Sequence, residues 1–514
     1  MKKKYNENIR NKERQNRIKK LKLLQNDGFN FPNNFKKNNF SKKIFSKYNS
    51  KNKKELEKLN IQVKVSGRII NKRIMGKATF LSLQDSLGKI QIYCTQNSLQ
   101  SKKNNYTFFK NLDLGDIVGI EGNIFKTKTC ELTIHCKKFI LLTKSIRPLP
   151  EKYHGLVNKE IRYRKRYIDF ISNRNLKKIF EKRAILISSI RKYMKKKKIL
   201  EVETPMLHNV PGGAIAKPFI TYHNSLDKKM YLRIAPELYL KRLIIGGFEK
   251  IFEINRNFRN EGISSKHNPE FTMMEIYISY VDYKYMMKFL KKLICYISKK
   301  IYGKNNFEYQ NNYFDFNKPF QKFTMKESIL KFNKFIKKSD LEDIQKIKEI
   351  SKKMNLKIKK KWKIGKIITQ IFEKTVEKKL IQPTFITEYP TEVSPLARRN
   401  NNNKKIADRF EFFMGGYEIG NGFSELNDPK EQKKNFKKQI KNKKKENNKN
   451  KIYDKEYIIA LEHGMPPTSG LGIGIDRLTM IFTNQKNIKD VIIFPTVSTI
   501  KNKKNLEHKN ECLK

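Results

Sequence analysis

Nowhere does an apolar run reach the roughly 18 residues that a membrane-spanning helix needs, so a transmembrane helix is excluded. Residues 1–22 are basic and lack the apolar core of a signal peptide, so secretion is not expected. Cysteine is scarce. The five residues, Cys94, Cys130, Cys136, Cys295 and Cys512, are scattered and form no CxxC pair, which argues against a zinc site or a disulfide framework and fits a reducing cytoplasm. Acidic side chains are few, 49 Asp plus Glu against 113 Lys plus Arg, and the net charge is +64. That balance suits a polyanionic partner, because each phosphate contact releases counterions. Lys, Asn, Ile, Phe and Tyr are abundant together, however, and all have A/U-rich codons. Compositional drift therefore accounts for much of the excess, and charge alone identifies no partner. With 38% hydrophobic and 11% aromatic residues the chain is not broadly disordered, and 514 residues predict two or three domains.

Residues 1–60 are rich in Lys and Asn, with one helix expected between residues 8 and 25 and a loop around Pro32. From 63 to 142 the pattern has period two: Val63, Val65, Gly67 and Ile69, then Leu81 with Leu83, Ile90 with Ile92, Ile117, and Leu132, Ile134 and Cys136. Short alternating segments between turns at Gly76, Gly88, Gly115 and Gly122 predict a small β-barrel over 61–146. Arg147-Pro148-Leu149-Pro150 reads as a linker into a second domain over 147–500. There Leu176, Ile179, Phe180, Ala184, Ile187, Ile190 and Met194 form one helical stripe. Strands are expected at 231–234, 250–258, 271–280, 383–388, 409–413 and 417–426, an α+β pattern. Residues 320–380 read as a helical insertion, 430–451 as a solvated helix and loop, and 501–514 as a basic tail.

Three strands carry unusual side chains on one face at period two: Glu253, Asn255, Asn257 and Arg259; Phe271, Met273, Glu275 and Tyr277; Asn421, Phe423 and Glu425. The bland alternative is an antiparallel sheet with one solvated face. In this chain such a face would carry lysine, so Glu, Asn, Arg and aromatics point instead to a ligand-binding face. On the barrel, Phe80 lies with Ser82 and Gln84, Gln91 with Lys89 and Tyr93, and Glu131 with Thr133 and His135. An exposed aromatic beside hydrogen-bonding groups suits stacked, unpaired bases, the alternative being an exposed Phe of no consequence.

Three segments occur in a telling order. Glu201-Val202-Glu203-Thr204-Pro205 closes the long helix; Phe258-Arg259-Asn260-Glu261 is followed by His267-Asn268-Pro269-Glu270-Phe271; and Gly470-Leu471-Gly472-Ile473-Gly474-Ile475-Asp476-Arg477 enters an apolar helix. The glycines do not match a dinucleotide fingerprint, since Asp-Arg follows them directly. Together the segments resemble motifs 1, 2 and 3 of the class II aminoacyl-tRNA synthetases. From about residue 60 to residue 500 the chain is similar to the bacterial-type lysyl-tRNA synthetases, on stretches such as Pro211-Gly212-Gly213-Ala214, Ala235-Pro236-Glu237-Leu238-Tyr239-Leu240-Lys241 and Gly420-Asn421-Gly422-Phe423-Ser424-Glu425. The departures are the Lys/Asn-enriched loops, 400–405 and 430–451, and the tail; none is expected to touch a motif.

The resemblance implies an OB-fold barrel that reads the anticodon and an antiparallel catalytic sheet of six to seven strands flanked by helices. It implies a cytoplasmic homodimer, formed through motif 1 and without membrane association. The implied reaction activates lysine with ATP, with Mg²⁺ as cofactor, and transfers the lysyl group to the 3′ end of tRNA(Lys). Arg259 and Arg477 would be the catalytic arginines, Arg259 at the α-phosphate and Arg477 sandwiching adenine with Phe271. Glu261, His267 and Asn268 would complete the ATP contacts, and Glu411 and Glu418 would be the metal carboxylates. Glu425, helped by Glu275 and Tyr277, would meet the ε-ammonium of lysine. Glu237 and the Gly213 carbonyl would hold the α-amino group, Asn421 with Arg259 the carboxylate, and Phe423 the methylenes. An aspartyl or asparaginyl relative would need a cationic or amide-bearing pocket in place of Glu425. Phe80, Gln91 and Glu131 match the anticodon readers, expected to favour U-rich anticodons. Two other readings remain open: a paralogue that lysylates a translation factor, which would lack the barrel, and an RNA-binding protein that has lost catalysis, which would carry damaged motifs.

Overall fold

The computed structural model describes residues 2–99, 104–150, 158–359, 361–444 and 453–498. The basic tail, Cys512 and residues 445–452 of the Lys/Asn tract lie outside them. The chain forms two compact units, Met1–Gly155 and Leu156–Lys514.

Five strands make the core of the first unit: β1 (Gln62–Met75), β2 (Ala78–Gln84), β3 (Lys89–Thr95), β4 (Ile117–Lys126) and β5 (Leu132–Thr143). They close into a barrel in the order β1-β2-β3-β5-β4. All pairs are antiparallel except β3 with β5. Alternation drives the closure, since Val63, Val65, Ile69, Leu81, Leu83, Ile90, Ile92, Leu132, Ile134 and Cys136 all turn inward. Ile117 departs from the expected pattern. A bulge between Ile117 and Val118 shifts the phase, so Val118 and Ile120 take the core positions. Thr133, expected on the outer face, is buried and donates to the Glu131 carbonyl at 3.0 Å.

Three helices precede the barrel rather than one helix and a loop: Lys2–Asn26, Ser41–Tyr48 and Lys53–Leu59. The third begins at a capping box, in which Glu55 N–H donates to Asn52 and Asn52 N–H to the Glu55 carboxylate. The first is tied down by Arg17, almost fully buried, which donates to the carbonyls of Leu114 and Ser145 at 2.9 and 3.0 Å.

In the second unit the strands are β6 (Leu200–Glu201), β7 (Leu207–His208), β8 (Ile220–His223), β9 (Lys228–Leu232), β10 (Lys250–Phe258), β11 (Glu270–Ser279), β12 (Asn306–Tyr309), β13 (Asn312–Asp315), β14 (Gln321–Thr324), β15 (Thr384–Thr387), β16 (Arg409–Met414), β17 (Tyr417–Ser424) and β18 (Thr468–Gly474). Eight form one sheet, ordered β14-β15-β16-β17-β18-β11-β10-β6, against the six to seven expected. The six central strands are antiparallel; the additions are the edges, where β14 and β6 pair in parallel with β15 and β10. Glu201, the first residue of the segment expected to close the long helix, instead forms edge strand β6 with Leu200, and the helix Arg174–Lys196 ends before them.

One face of this sheet is the core. Phe252, Met274, Ile276, Phe410, Phe412, Leu471 and Ile473 pack there against the helices Arg174–Lys196 and Tyr283–Tyr302. The first helix turns Leu186, Ile190, Tyr193 and Met194 inward; Ala184, placed on the stripe by its spacing, is exposed, and Ile187 is half-buried. Helices Met325–Phe332, Ile344–Lys353 and Ile364–Thr375 have an apolar cluster of their own, around Ile329, Ile347, Ile367 and Phe372, which reaches Phe413 of β16. The Pro429–Lys444 helix is not a free solvated element, because Gln432 and Phe436 are buried and Phe436 packs with Tyr457, Leu461 and Leu238.

Candidate active site

With apolar side chains committed to the core face, period two sends the alternate residues of β11, β17 and β18 to the opposite face. Strand register then decides which of them meet. Glu275 and Asn421 both lie opposite Gly472, while Tyr277 and Phe423 both lie opposite Gly470. The glycines of β18 are therefore the floor between two functional strands. A Cβ on Gly470 would come within 2.2 Å of Glu425 Oε1 and 2.7 Å of Tyr277, and one on Gly472 would be 3.2 Å from Met273. Above this floor is a cavity of about 540 Å³, within the range of small-molecule sites.

Most of the expected site residues line that cavity: Gly213, Glu237, Arg259, Glu261, His267, Asn268, Phe271, Glu275, Tyr277, Glu418, Asn421, Phe423, Glu425 and Arg477. Glu253, Asn255 and Asn257 do not. Glu253 accepts from Arg233 and from Thr204, both at 2.7 Å, and Asn257 donates to Asn255 at 2.6 Å, so the polar face of β10 is an internal network. The Pro429–Lys444 helix, by contrast, contributes Phe436, Gln439 and Ile440 to the lining, although its composition gave no reason to expect contact with the motifs.

At one end of the cavity the groups suit an anion. The Arg259 guanidinium lies 4.9 Å over the Phe271 ring, and its Nε is buried without a partner. Burial lowers the pKa of Arg259 while Glu418, Glu261 and Glu275 oppose the shift. Arg477 donates to the Glu418 carbonyl at 2.8 Å, to its carboxylate at 3.2 Å, and to His267 Nε2 at 3.3 Å. Burial, and then Arg477, pull the His267 pKa down, which keeps the ring a neutral acceptor. Asn268 is spent locally, donating to the Glu270 carbonyl at 2.6 Å and accepting from Thr496 N–H at 3.2 Å. Asp476 accepts from Thr272 N–H at 2.7 Å and pairs with Arg183 at 2.6 Å, joining motif 3 to β11.

At the other end three carboxylates are buried together: Glu237, Glu275 and Glu425. Gly213, at φ +80°, permits the approach, since its Cβ would be 2.9 Å from that of Glu237. Tyr277 donates to Glu275 at 2.9 Å. Burial, then Glu237, pushes the Glu275 carboxyl up to about 8. A lysine of the chain itself, missed in the sequence, stands among them: Lys241 Nζ contacts Glu237 Oε1 at 2.6 Å and pairs with Glu425 Oε2. Its signal was present as Glu237 and Lys241 four residues apart, a spacing that ordinarily marks a surface pair.

Glu411 and Glu418 come from adjacent strands. A bulge between Phe412 and Phe413 pairs Phe413 with Glu418, which returns Glu418 to the face shared by Glu411 and Asn421. Glu418 lines the cavity, whereas Glu411 lies behind it, accepting from Arg409 at 2.5 Å and Tyr389 at 2.8 Å. Burial raises the Glu411 carboxyl to about 7; Arg409 opposes the shift and Glu418 adds to it. Arg409 was also missed, although it shares the face of Glu411 two residues away. It lines the cavity and donates to Asn421 at 3.1 Å.

On the barrel, Phe80 is paired across the strands with Tyr93, their rings 4.9 Å apart. Tyr93 extends the group to Phe125 and His135, at 5.7 and 5.4 Å. Gln91 donates to Thr133 at 3.1 Å, and Glu131 is exposed just before β5. Phe125 was not among the residues expected on this face.

Comparison with known proteins agrees with both units. Residues 158–498 match the model of class II tRNA synthetases (D, K and N), and residues 63–142 match that of the OB-fold nucleic acid binding domain. A lysine–tRNA ligase of Buchnera aphidicola subsp. Acyrthosiphon pisum is 60% identical over 495 residues, covering 96% of this chain and 97% of its own. Those of Wigglesworthia glossinidia brevipalpis and Yersinia pestis are 54% and 53% identical, covering 94% and 96% of this chain and 97% of their own in each case. The chain thus belongs to the class II tRNA synthetases, and among them to the lysine–tRNA ligases.

Proposed function

We propose that this chain activates lysine with ATP and transfers the lysyl group to the 3′ end of tRNA(Lys), using the residues around the sheet cavity. The observation that carries the reading is the convergence of Glu237, Glu275 and Glu425, buried in a chain of net charge +64. Burying several carboxylates together costs free energy unless a cation joins them. Lysine supplies two ammonium groups, its ε-ammonium for Glu425, Glu275 and Tyr277 and its α-ammonium for Glu237 and the Gly213 carbonyl. Its carboxylate goes to Asn421 and Arg259, and Phe423 flanks the methylenes. The carboxylate attacks the ATP α-phosphate, the bond to the β,γ-pyrophosphate breaks, and lysyl-adenylate forms. The terminal ribose hydroxyl of tRNA then takes the lysyl group and AMP leaves. No side-chain nucleophile takes part. Arg259 offers an unsatisfied buried donor to the phosphate, Phe271 and Arg477 hold adenine, and Glu261, His267 and Asn268 border the nucleotide, so the residues work by positioning and charge stabilisation. Charging of tRNA(Lys) with radiolabelled lysine in the presence of ATP tests this; no incorporation of label contradicts it.

Glu411 and Glu418 fit Mg²⁺. They are hard oxygen donors on one sheet face, and burial, with a lesser contribution from the like charge of Glu418, raises Glu411. Mg²⁺ is commonly held by one or two carboxylates together with substrate phosphates. When bound, the ion supplies charge neutralisation at the phosphates. Glu411→Gln and Glu418→Gln should each raise the magnesium concentration for half-maximal activity. An unchanged titration in both variants contradicts the assignment.

Phe80, Gln91 and Glu131 are proposed to read the anticodon. Phe80→Ala removes a stacking surface worth ~1–3 kcal/mol per base, so aminoacylation should weaken while ATP–pyrophosphate exchange stays near the parent rate. Equal losses in both assays would make Phe80 a structural residue. A cytoplasmic homodimer completes the reading. Ile185, Leu200, Met206, Leu207 and Ile220, around motif 1, are exposed apolar residues that a second copy would cover, and Cys94, Cys130, Cys136 and Cys295 are free thiols, as a reducing compartment favours. Among the described residues no helix is long and apolar enough to cross a membrane.

A further inference from the structure

We propose that Lys241 is the resident counter-cation of the amino-acid pocket, a positioning residue that offsets carboxylate charge there and holds Glu237 and Glu425 aimed before substrate enters. The proposal rests on the lysine reading above and assigns a role to a residue outside the substrate contacts. Lys241 lies on the Glu237–Ile245 helix, and its side chain is 0% exposed, so its contacts with Glu237 at 2.6 Å and with Glu425 are not a surface pair. The Nζ also lies 5.5 Å over the ring of Phe423, the side chain proposed to flank the substrate methylenes. Glu425 Oε1 is buried without a hydrogen-bond partner, which leaves one oxygen on Lys241 and the other for a ligand.

The charges explain why a second lysine belongs in a lysine pocket. Once substrate is bound, three carboxylates face three ammonium groups: the two of the substrate and that of Lys241. The substrate carboxylate faces Arg259. Without Lys241 the empty pocket would hold three carboxylates out of water, and burial would be relieved by protonation. Burial does push Glu425 upward and Glu275 to about 8, and Lys241 opposes the rise at both. The other groups facing this cluster do not replace it. Tyr277 of β11 is bound to Glu275; Tyr457 of the Lys455–Glu462 helix is buried with its hydroxyl unpartnered; Arg242 is paired with Asp454 and Arg233 with Glu253. A protonated Glu425 would accept a lysine only after losing its proton, and would no longer distinguish an ammonium from a neutral end.

The test is Lys241→Met, which keeps the apolar stem and removes the charge. Lysine KM in ATP–pyrophosphate exchange is measured across neutral to mildly alkaline pH for parent and variant. The variant KM should be higher at neutral pH and should fall more steeply than the parent KM as pH rises, by about tenfold per pH unit, the slope of one further proton displaced on binding. ATP KM should stay near the parent value. A higher lysine KM with the parent slope would make Lys241 a packing residue and overturn the proposal, as would an unchanged KM. Should the variant fail to fold, calorimetry on the parent in two buffers of different ionisation enthalpy decides. Charge offset by Lys241 predicts release of fewer protons per lysine bound at neutral pH than the pocket has carboxylates; release of three overturns it. Exchange by the parent with an amino acid other than lysine overturns the ligase reading and this proposal together, whereas the results above overturn this one alone.

Discussion

Glu425→Gln is expected to raise the KM for lysine by about one order of magnitude or more, since truncating one partner of a buried charge pair costs ~2–5 kcal/mol. Gln keeps the shape and volume of the side chain but offers the ε-ammonium an amide instead of a carboxylate. Glu425 is 2% exposed, so water does not substitute for the lost charge. Its loss also leaves Lys241 with Glu237 alone, and the substrate then brings two further cations to a pocket with only two carboxylates. ATP KM should change little, because Arg259, Phe271 and Arg477 lie at the other end of the cavity. Discrimination against norleucine should weaken in parallel, since the pocket no longer rewards a cation. Paired exchange titrations with lysine and norleucine check both results. An unaffected lysine KM would show that Glu425 is not the ammonium partner and would leave that role to Glu275 and Tyr277.

Arg259→Ala should cost ~10²–10³ in the rate of adenylate formation, as loss of a donor that strengthens its hold on charge in the transition state does elsewhere (~2.7–4 kcal/mol). The Nε of Arg259 is buried without a partner, so the ground state leaves a donor free for the phosphate. The fold should survive, because the guanidinium contributes a stacking contact with Phe271 and the segment is held by its backbone, with Arg259 N–H donating to Pro269 at 2.8 Å. Single-turnover adenylation slowed by that factor, with an unchanged melting temperature, is the expected combination. Adenylation at the parent rate would contradict the assignment of Arg259 to the phosphate.

Where a physical constraint repeats at short range, the sequence was readable. Period two in β10, β11 and β17 carried those strands and the face that bears Glu275, Tyr277, Asn421 and Phe423, whereas β18, the glycine-rich strand between β11 and β17, was not expected as a strand. What was illegible depends on distance or on partners. Glu253, Asn255 and Asn257 have the same alternation, but Arg233 and Thr204 cover them, and no local pattern announces a cover that arrives from another segment. The bulges beside Val118 and Phe413 shift the phase by one residue without a composition signal. The Pro429–Lys444 helix reads as solvated because it is dense in Lys and Asn, yet Phe436 packs against Tyr457 while Gln432 and Asn435 donate to the Pro395 carbonyl, which brings it to the cavity. Lys241 was hidden by abundance, one basic residue among 113. Two cues were present and passed over: the Asn52 to Glu55 capping box, and Arg409 two residues before Glu411 on the same strand face.

The most direct measurement is ATP–pyrophosphate exchange without tRNA, run with each of the twenty amino acids in turn. A pocket of Glu237, Glu275 and Glu425, balanced in part by Lys241, should give exchange with lysine far above every other amino acid, including arginine, whose planar head does not match a point-charge site, and aspartate, which those carboxylates repel. Exchange driven best by aspartate or asparagine, or exchange independent of the amino acid, would contradict lysine activation at this site.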